Sequence, residues 1–146
     1  MGTRSTIAIE QPDGKIQWVY CHWDGYPEHN GKILMEHYSD PEVLQRLINE
    51  GAMSTLNVEI GYQHPFDTYK TEYEELCKNW CTFYHRDRGE PLKIHKHWNF
   101  ATYKATFQHE EYAYILRQNE GRPVWWMKDH DREWVKLTYV IDALDA

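Results

Sequence analysis

The chain has 146 residues, including 7 Trp and 11 Tyr, and a formal net charge of −7 at pH 7. This length is typical of one domain that buries a core without metal or disulfide staples, so we expect a single domain over residues 1–146. The negative charge argues against duplex nucleic acid as a partner, because affinity for duplexes depends on cations that displace counterions from phosphates.

Two β patterns open the chain. Residues 4–10 alternate around Ile7 and Ile9, Asp13-Gly14 supplies a turn, and residues 16–21 resume the alternation. Together they predict an N-terminal hairpin. Residues 24–31 are rich in turn-forming residues and predict a loop that follows directly from the second strand.

Helical patterns follow this loop. Residues 34–38 predict a short helix, and Asp40-Pro41 supplies an N-cap with proline at the first helical position of a second one. Gly51 marks the end of that second helix. Its apolar stripe consists of Val43, Leu44, Leu47 and Ile48.

The middle of the chain shows weaker patterns. Residues 71–79 have helical character, residues 80–85 predict a strand, and residues 86–91 predict a turn. The C-terminal part is clearer, with three strands of a meander at residues 111–117, 124–128 and 134–137 and a short helix at residues 138–144. The predicted fold class is α+β, an antiparallel sheet of about five to six strands with two or three short helices on one face.

No apolar run approaches the ~18 residues that a membrane-spanning helix needs, so no membrane partner is expected. The three cysteines, Cys21, Cys77 and Cys81, lack the spacing of a disulfide framework. We expect free thiols in a reducing compartment.

Three segments carry a resemblance to known proteins: residues 1–5 (MGTRS), 20–27 (YCHWDGYP) and 84–90 (YHRDRGE). With them the chain resembles a family of small uncharacterised accessory proteins of tailed phages, over most of its length. The resemblance implies a phage protein that acts in the host bacterial cytoplasm, with a host defence component as a candidate partner. It implies no activity and no catalytic residues.

The first candidate site is the loop after the second strand, where His22, Trp23, Asp24 and Tyr26 would lie at a rigid sheet edge. The alternative is a structural loop whose Asp caps a turn and whose rings complete the core. The second candidate is the window from residue 84 to residue 104, which has five basic and two acidic residues among several rings. Guanidinium groups bind phosphate and rings stack on bases, so this mixture suits a nucleotide, whereas a solvated basic face is the alternative.

Metal and nucleophile sites are weakly indicated. Histidine pairs such as His95 and His97 lack the spacing of established zinc motifs, so neither a metal nor a cofactor is predicted. Removal of Met1 would expose Gly2 and not Thr3, which argues against an N-terminal nucleophile.

The resemblance implies a phage accessory protein, and the mixture of Arg, His and aromatic rings at the candidate loops predicts that it captures a small anionic, nucleotide-like host molecule without catalysis, with counter-defence as a candidate role. The alternatives are a metal-dependent hydrolase of such a ligand and an acidic inhibitor of a host protein; self-association is left open. One shared cleft is expected between the two motifs. The predicted ligand-binding residues are Arg4, His22, Trp23, Asp24, Tyr26, His85, Arg86, Arg88 and Trp98.

Overall fold

The computed structural model describes residues 2–64, 75, 77–106, 110–129 and 133–145. The strands are β1 (Ser5–Glu10), β2 (Ile16–Cys21), β3 (Met53–Thr55), β4 (Thr82–Phe83), β5 (His95–His97), β6 (Tyr112–Asn119), β7 (Arg122–Asp129) and β8 (Val135–Lys136). The helices are α1 (Lys32–His37), α2 (Pro41–Asn49), α3 (Tyr84–Arg88), α4 (Phe100–Thr106) and α5 (Leu137–Leu144), and a π-helical turn spans Pro27–Gly31.

The sheet has the strand order β4-β3-β2-β1-β6-β7-β8, with β5 also paired to β2. The hairpin of β1 and β2, the meander of β6 to β8 and the α+β class are as predicted. The antiparallel prediction is wrong in part, because β1 pairs in parallel with β6 and β2 pairs in parallel with β3. Long connections permit such parallel neighbours, which local sequence patterns do not show.

Helices cover both faces of the sheet, not one as predicted. The larger core cluster lies on the face that packs against α1, α2 and α5, and we call this the first face. On the second face, Tyr103 of α4 is buried in a smaller cluster with Ala8, Ile16 and Ile115. Trp18, Phe100, Trp126 and Trp134 pack around that cluster, which accounts for several of the aromatic residues.

The predicted core residues lie mostly in the larger cluster. It contains Ile7, Ile9, Leu44, Leu47, Ile48, Tyr114 and Leu116, with Val43 packed against it. Val135 is an exception, since it is 39% exposed on the short edge strand β8. Each cluster combines residues from both halves of the chain.

Local signals explain the second helix well. The Asp40 carboxylate accepts a 2.9 Å hydrogen bond from the Glu42 backbone N–H, as an N-cap does. Gly51 follows the helix with φ at +83°, a conformation that glycine adopts without strain. None of the helices in the described part of the chain has the length and apolar character needed to cross a bilayer.

Three local predictions are corrected. The strand predicted over residues 80–85 is only the two-residue β4, and helix α3 occupies the end of that segment and the first part of the predicted turn. Gly89, with φ at +70°, follows the helix. The predicted loop over residues 24–31 contains the π-helical turn. The helix predicted over residues 71–79 falls largely outside the described residues.

Candidate functional site

The loop after β2 is held by the N-terminal segment. The Gly25 backbone N–H donates to the Thr3 carbonyl at 2.8 Å, and the buried Tyr114 hydroxyl donates to the Gly25 carbonyl at 2.6 Å. A Cβ atom at Gly25 would lie 2.8 Å from both the Ser5 Cβ and the Thr3 carbonyl oxygen. The MGTRS and YCHWDGYP segments therefore form one packed structural unit.

Polar residues of this loop bond mainly to each other. Asp24, at φ +57°, accepts a 3.1 Å hydrogen bond from the Tyr26 hydroxyl. The fully buried Asn30 donates to the Ser5 hydroxyl and the Trp23 carbonyl. These contacts agree with the structural alternative for Asp24 and Tyr26, whereas Trp23 remains 42% exposed.

Arg86 is part of a buried network at the end of β4. Its guanidinium contacts both carboxylate oxygens of Asp87 and donates to the Ile60 and Cys81 carbonyls at 2.8 and 3.0 Å. Its side chain is 13% exposed, and that of Asp87 is fully buried. Four of the five guanidinium N–H groups thus have hydrogen-bond partners within the protein, which leaves little capacity for a phosphate.

The shared cleft predicted between the two motifs does not form around His22 and Arg86. Arg86 lies 4.6 Å over the Phe83 ring, a member of the core cluster on the first face. His22 instead shares a 2.7 Å hydrogen bond with Tyr20. Tyr20 is two residues from Trp18 on β2, so both side chains lie on the second face. These contacts place the His22 and Arg86 side chains on opposite faces of the sheet.

A cavity of about 420 Å³ opens on the second face, and we call it the ring pocket. β3 and β5 both pair with β2, and the pocket lies in the gap between them. The Ala52 backbone N–H donates a hydrogen bond to the Lys93 carbonyl across that gap. The pocket is lined by Trp18, Tyr20, Ala52, Tyr84, Glu90, Pro91, Lys93, His95 and Glu110. Four of these are rings, so the pocket suits a flat ligand.

The wall formed by Trp18 is rigidly oriented. Its indole stacks on His95 with ring centroids 4.0 Å apart and planes within 13°. Its Nε1–H donates a 2.9 Å hydrogen bond to Nε2 of His97. Because indole can only donate, His97 must accept through an unprotonated Nε2.

Burial changes the pKa values of the pocket groups. It lowers the pKa of His95 below its usual value, with Lys93 acting in the same direction and Glu110 opposing it. It also raises the pKa of Tyr20, an effect that the charge of Arg4 opposes and that of Glu110 reinforces. At neutral pH the pocket therefore presents a neutral imidazole and a neutral phenol.

Several predicted residues border the ring pocket. Arg88 lies 5.3 Å over the Tyr84 ring, His22 bonds to Tyr20, and Arg4 is near enough to affect the pKa of Tyr20. His85 donates to the Glu90 carbonyl at 2.8 Å, beside the pocket. Arg88 and Lys93 thus place cations at or beside the pocket, Arg4 is a further cation near Tyr20 that also contacts Glu111 at 3.8 Å, and Glu90 and Glu110 are carboxylates of the lining.

Trp98 lies elsewhere, one residue beyond β5. It is 76% exposed and lines a cavity of about 300 Å³ with Lys15, Lys96 and His97. Another cavity, of about 600 Å³, lies beside α2 on the first face, among residues that include Arg46, Glu59, Tyr62 and Trp80. None of the nine predicted residues lines that cavity.

The structure offers no clear metal centre among the residues that it describes, since no three His, Cys, Asp or Glu side chains there converge as ligands could. Cys21 and Cys81 are fully buried free thiols, and burial raises the pKa of Cys21 to about 12. Neither thiol is suited to nucleophilic chemistry, because the thiolate is the reactive form.

The nine predicted residues do not include the walls of the ring pocket, Trp18, Tyr20, Tyr84 and His95, although the candidate window from residue 84 to residue 104 contains the last two. A signal was available for part of it, because Trp18, Tyr20 and His22 alternate along β2 and so share one face. Comparisons of the chain with protein-family models, with curated proteins and with solved structures found no match.

Proposed function

We propose that the protein binds a small nucleotide-like anion in the ring pocket and sequesters it without catalysis. The observation that carries this proposal is the combination of four ring walls with cations at the rim, in one cavity of about 420 Å³. A flat base would stack against the rings, a contact worth about 1–3 kcal/mol per base. Arg88, Arg4 and Lys93 would neutralise the phosphate.

The two pocket carboxylates give the base an orientation. Glu90 and Glu110 line the same cavity, and carboxylates accept hydrogen bonds from the amino groups of bases. Such acceptors would repel a phosphate, so the anionic end of the ligand would lie toward Arg88 and Arg4 at the rim. A nucleotide has a polar base edge at one end and a phosphate at the other, so it matches the carboxylates of the lining and the cations of the rim.

The biological setting follows from the resemblance to small tailed-phage proteins. A phage accessory protein that removes a host nucleotide would act in the bacterial cytoplasm against a host defence. Sequestration requires only that the protein binds the nucleotide tightly and is abundant relative to it. Cys21 and Cys81 are fully buried thiols, which fits a binding role better than nucleophilic catalysis by cysteine.

Titration calorimetry with nucleoside monophosphates of the four bases tests the proposal, with ribose 5-phosphate as a ligand that lacks a ring. Tyr84→Ala and Arg88→Ala should each weaken binding about tenfold, the magnitude of one stacked ring or one charge-assisted contact. Tyr139→Ala and Arg122→Ala are matched controls on exposed residues outside the pocket and should bind normally.

Each ligand should also be recovered unchanged after incubation with the protein and analysed by chromatography. Equal binding of ribose 5-phosphate and the nucleotides would contradict base recognition. Conversion of a bound nucleotide would contradict sequestration and favour an enzyme.

A further inference from the structure

A second ring platform lies next to the ring pocket. Trp98 is 76% exposed, and the Lys15 ammonium lies 5.0 Å from the centre of its ring. Lys96 and His97 complete the lining of the adjoining cavity of about 300 Å³. No carboxylate is among these lining residues, although Lys15 also has an exposed contact of 3.8 Å with Asp13.

Strand β5 connects this platform to the ring pocket. His95 at one end of β5 lines the ring pocket, and His97 at the other end lines the cavity beside Trp98. A strand rises about 3.3 Å per residue, so the Cα atoms of His95 and Trp98 are at most about 10 Å apart. Rings that follow one another at this spacing are typical of surfaces on which successive bases of a single strand stack.

The charges between the two platforms fit a phosphodiester backbone. Lys93 precedes β5 and lines the ring pocket, Lys96 lies within β5, and Lys15 lies over Trp98. These three lysines supply positive charge along β5, although the chain as a whole has a net charge of −7. Three contacts with phosphate are enough for a short strand and too few for a long duplex.

We infer that the ligand is a short single-stranded oligonucleotide, at least a dinucleotide, with one base in the ring pocket and the next base on Trp98. This inference rests on the proposed function and extends it, because a mononucleotide would leave Trp98 unused. Three phosphate contacts to a tetranucleotide predict that log K falls with log salt concentration at a slope of about −2, and a dinucleotide, which has fewer phosphates, should show a shallower slope.

The test compares a mononucleotide with dinucleotides and tetranucleotides of the same bases, by calorimetry at two salt concentrations. The wild-type protein should bind the dinucleotide about tenfold more tightly than the mononucleotide. Trp98→Ala should abolish that advantage and leave mononucleotide binding unchanged. Tyr139→Ala, which removes another exposed ring, should keep the advantage.

Equal binding of the mononucleotide and the dinucleotide would overturn this inference and leave the proposed function standing. Retention of the dinucleotide advantage by Trp98→Ala would also overturn it, because Trp98 would then not hold the second base. If neither ligand binds, the proposed function fails and this inference fails with it. Since Trp98 is largely exposed, its removal should not affect folding.

Discussion

Arg86 and Asp87 form a two-point contact, in which Nε lies 3.0 Å from Oδ1 and Nη2 lies 3.2 Å from Oδ2. The same carboxylate accepts hydrogen bonds from the backbone N–H groups of Phe83 and His64, at 2.7 and 3.0 Å. Arg86 also lies 3.9 Å from Glu50. Two neighbouring residues thereby join β4, the end of α2 and the segment that contains Ile60 and His64.

This network separates the roles of the two arginines in α3. Arg86→Ala should lower the free energy of unfolding by about 2–4 kcal/mol, because it leaves the buried Asp87 carboxylate with fewer partners. Arg88 is exposed, and Arg88→Ala should change that free energy by less than about 0.5 kcal/mol. Urea unfolding of both variants measures these values.

The same two variants give opposite results in nucleotide binding. The folded fraction of Arg86→Ala should bind as the wild type does, and Arg88→Ala should bind more weakly. Weakened binding by a fully stable Arg86→Ala would instead restore the sequence prediction that Arg86 contacts the ligand.

Asp87 should contribute to acid sensitivity. Burial alone would raise its pKa, but hydrogen bonds from Arg86, Phe83 and His64 outweigh this, and the net pKa lies below the usual value of 3.8. A lowered folded-state pKa gives stability that is fully present above the unfolded-state pKa and is lost as pH falls through the folded-state pKa. Urea unfolding between about pH 6 and pH 2.5 should show a smaller loss for Asp87→Asn than for the wild type. Parallel curves for the two proteins would contradict this role.

His97 should produce a second pH dependence at higher pH. Burial lowers its pKa below 6.5, and neighbouring His95 acts in the same direction. A lowered folded-state pKa again means that the stabilisation is complete above the unfolded-state pKa and declines as pH falls below about 6.5. Protonation of Nε2 would also remove the hydrogen bond that His97 accepts from Trp18. Melting temperatures measured between about pH 8 and pH 5 should decline less for His97→Gln, whose side-chain oxygen can still accept. An unchanged decline in that variant would assign the effect to other groups.

Gly25 and Tyr114 should each contribute to the free energy of unfolding, because both hold the loop after β2 against the sheet. Gly25→Ala places a methyl group where Ser5 Cβ and the Thr3 carbonyl are 2.8 Å away, and should cost about 1–3 kcal/mol. Tyr114→Phe leaves the buried Gly25 carbonyl without its donor and should cost a similar amount, about 1–3 kcal/mol. Tyr139→Phe, at an exposed position, is the control. Chemical denaturation that shows no loss for Gly25→Ala would mean that the loop moves away from β1 at little cost.

The sequence alone determined the elements whose signals are local. Alternation around Ile7 and Ile9 predicts β1, Asp40 and Gly51 mark the limits of α2, and the turn at residues 119–121 separates β6 from β7. The α+β class follows from these elements. Short-range hydrogen bonding and apolar periodicity decide them, and both can be read within a few residues.

Only the tertiary structure decided which strands pair and which side chains meet. The parallel pairing of β1 with β6 joins residues more than 100 positions apart, and nothing local specifies it. The pairing of β3 and β5 with β2, and of β4 with β3, assembles the ring pocket from Trp18, Tyr84 and His95. His22 and Arg86 were expected in one cleft because each follows a strand, but Arg86 lies in helix α3 and packs on Phe83 of the first face, whereas His22 bonds to Tyr20 on the second face. The face on which a side chain lies depends on register and strand direction, and these are set by long-range packing.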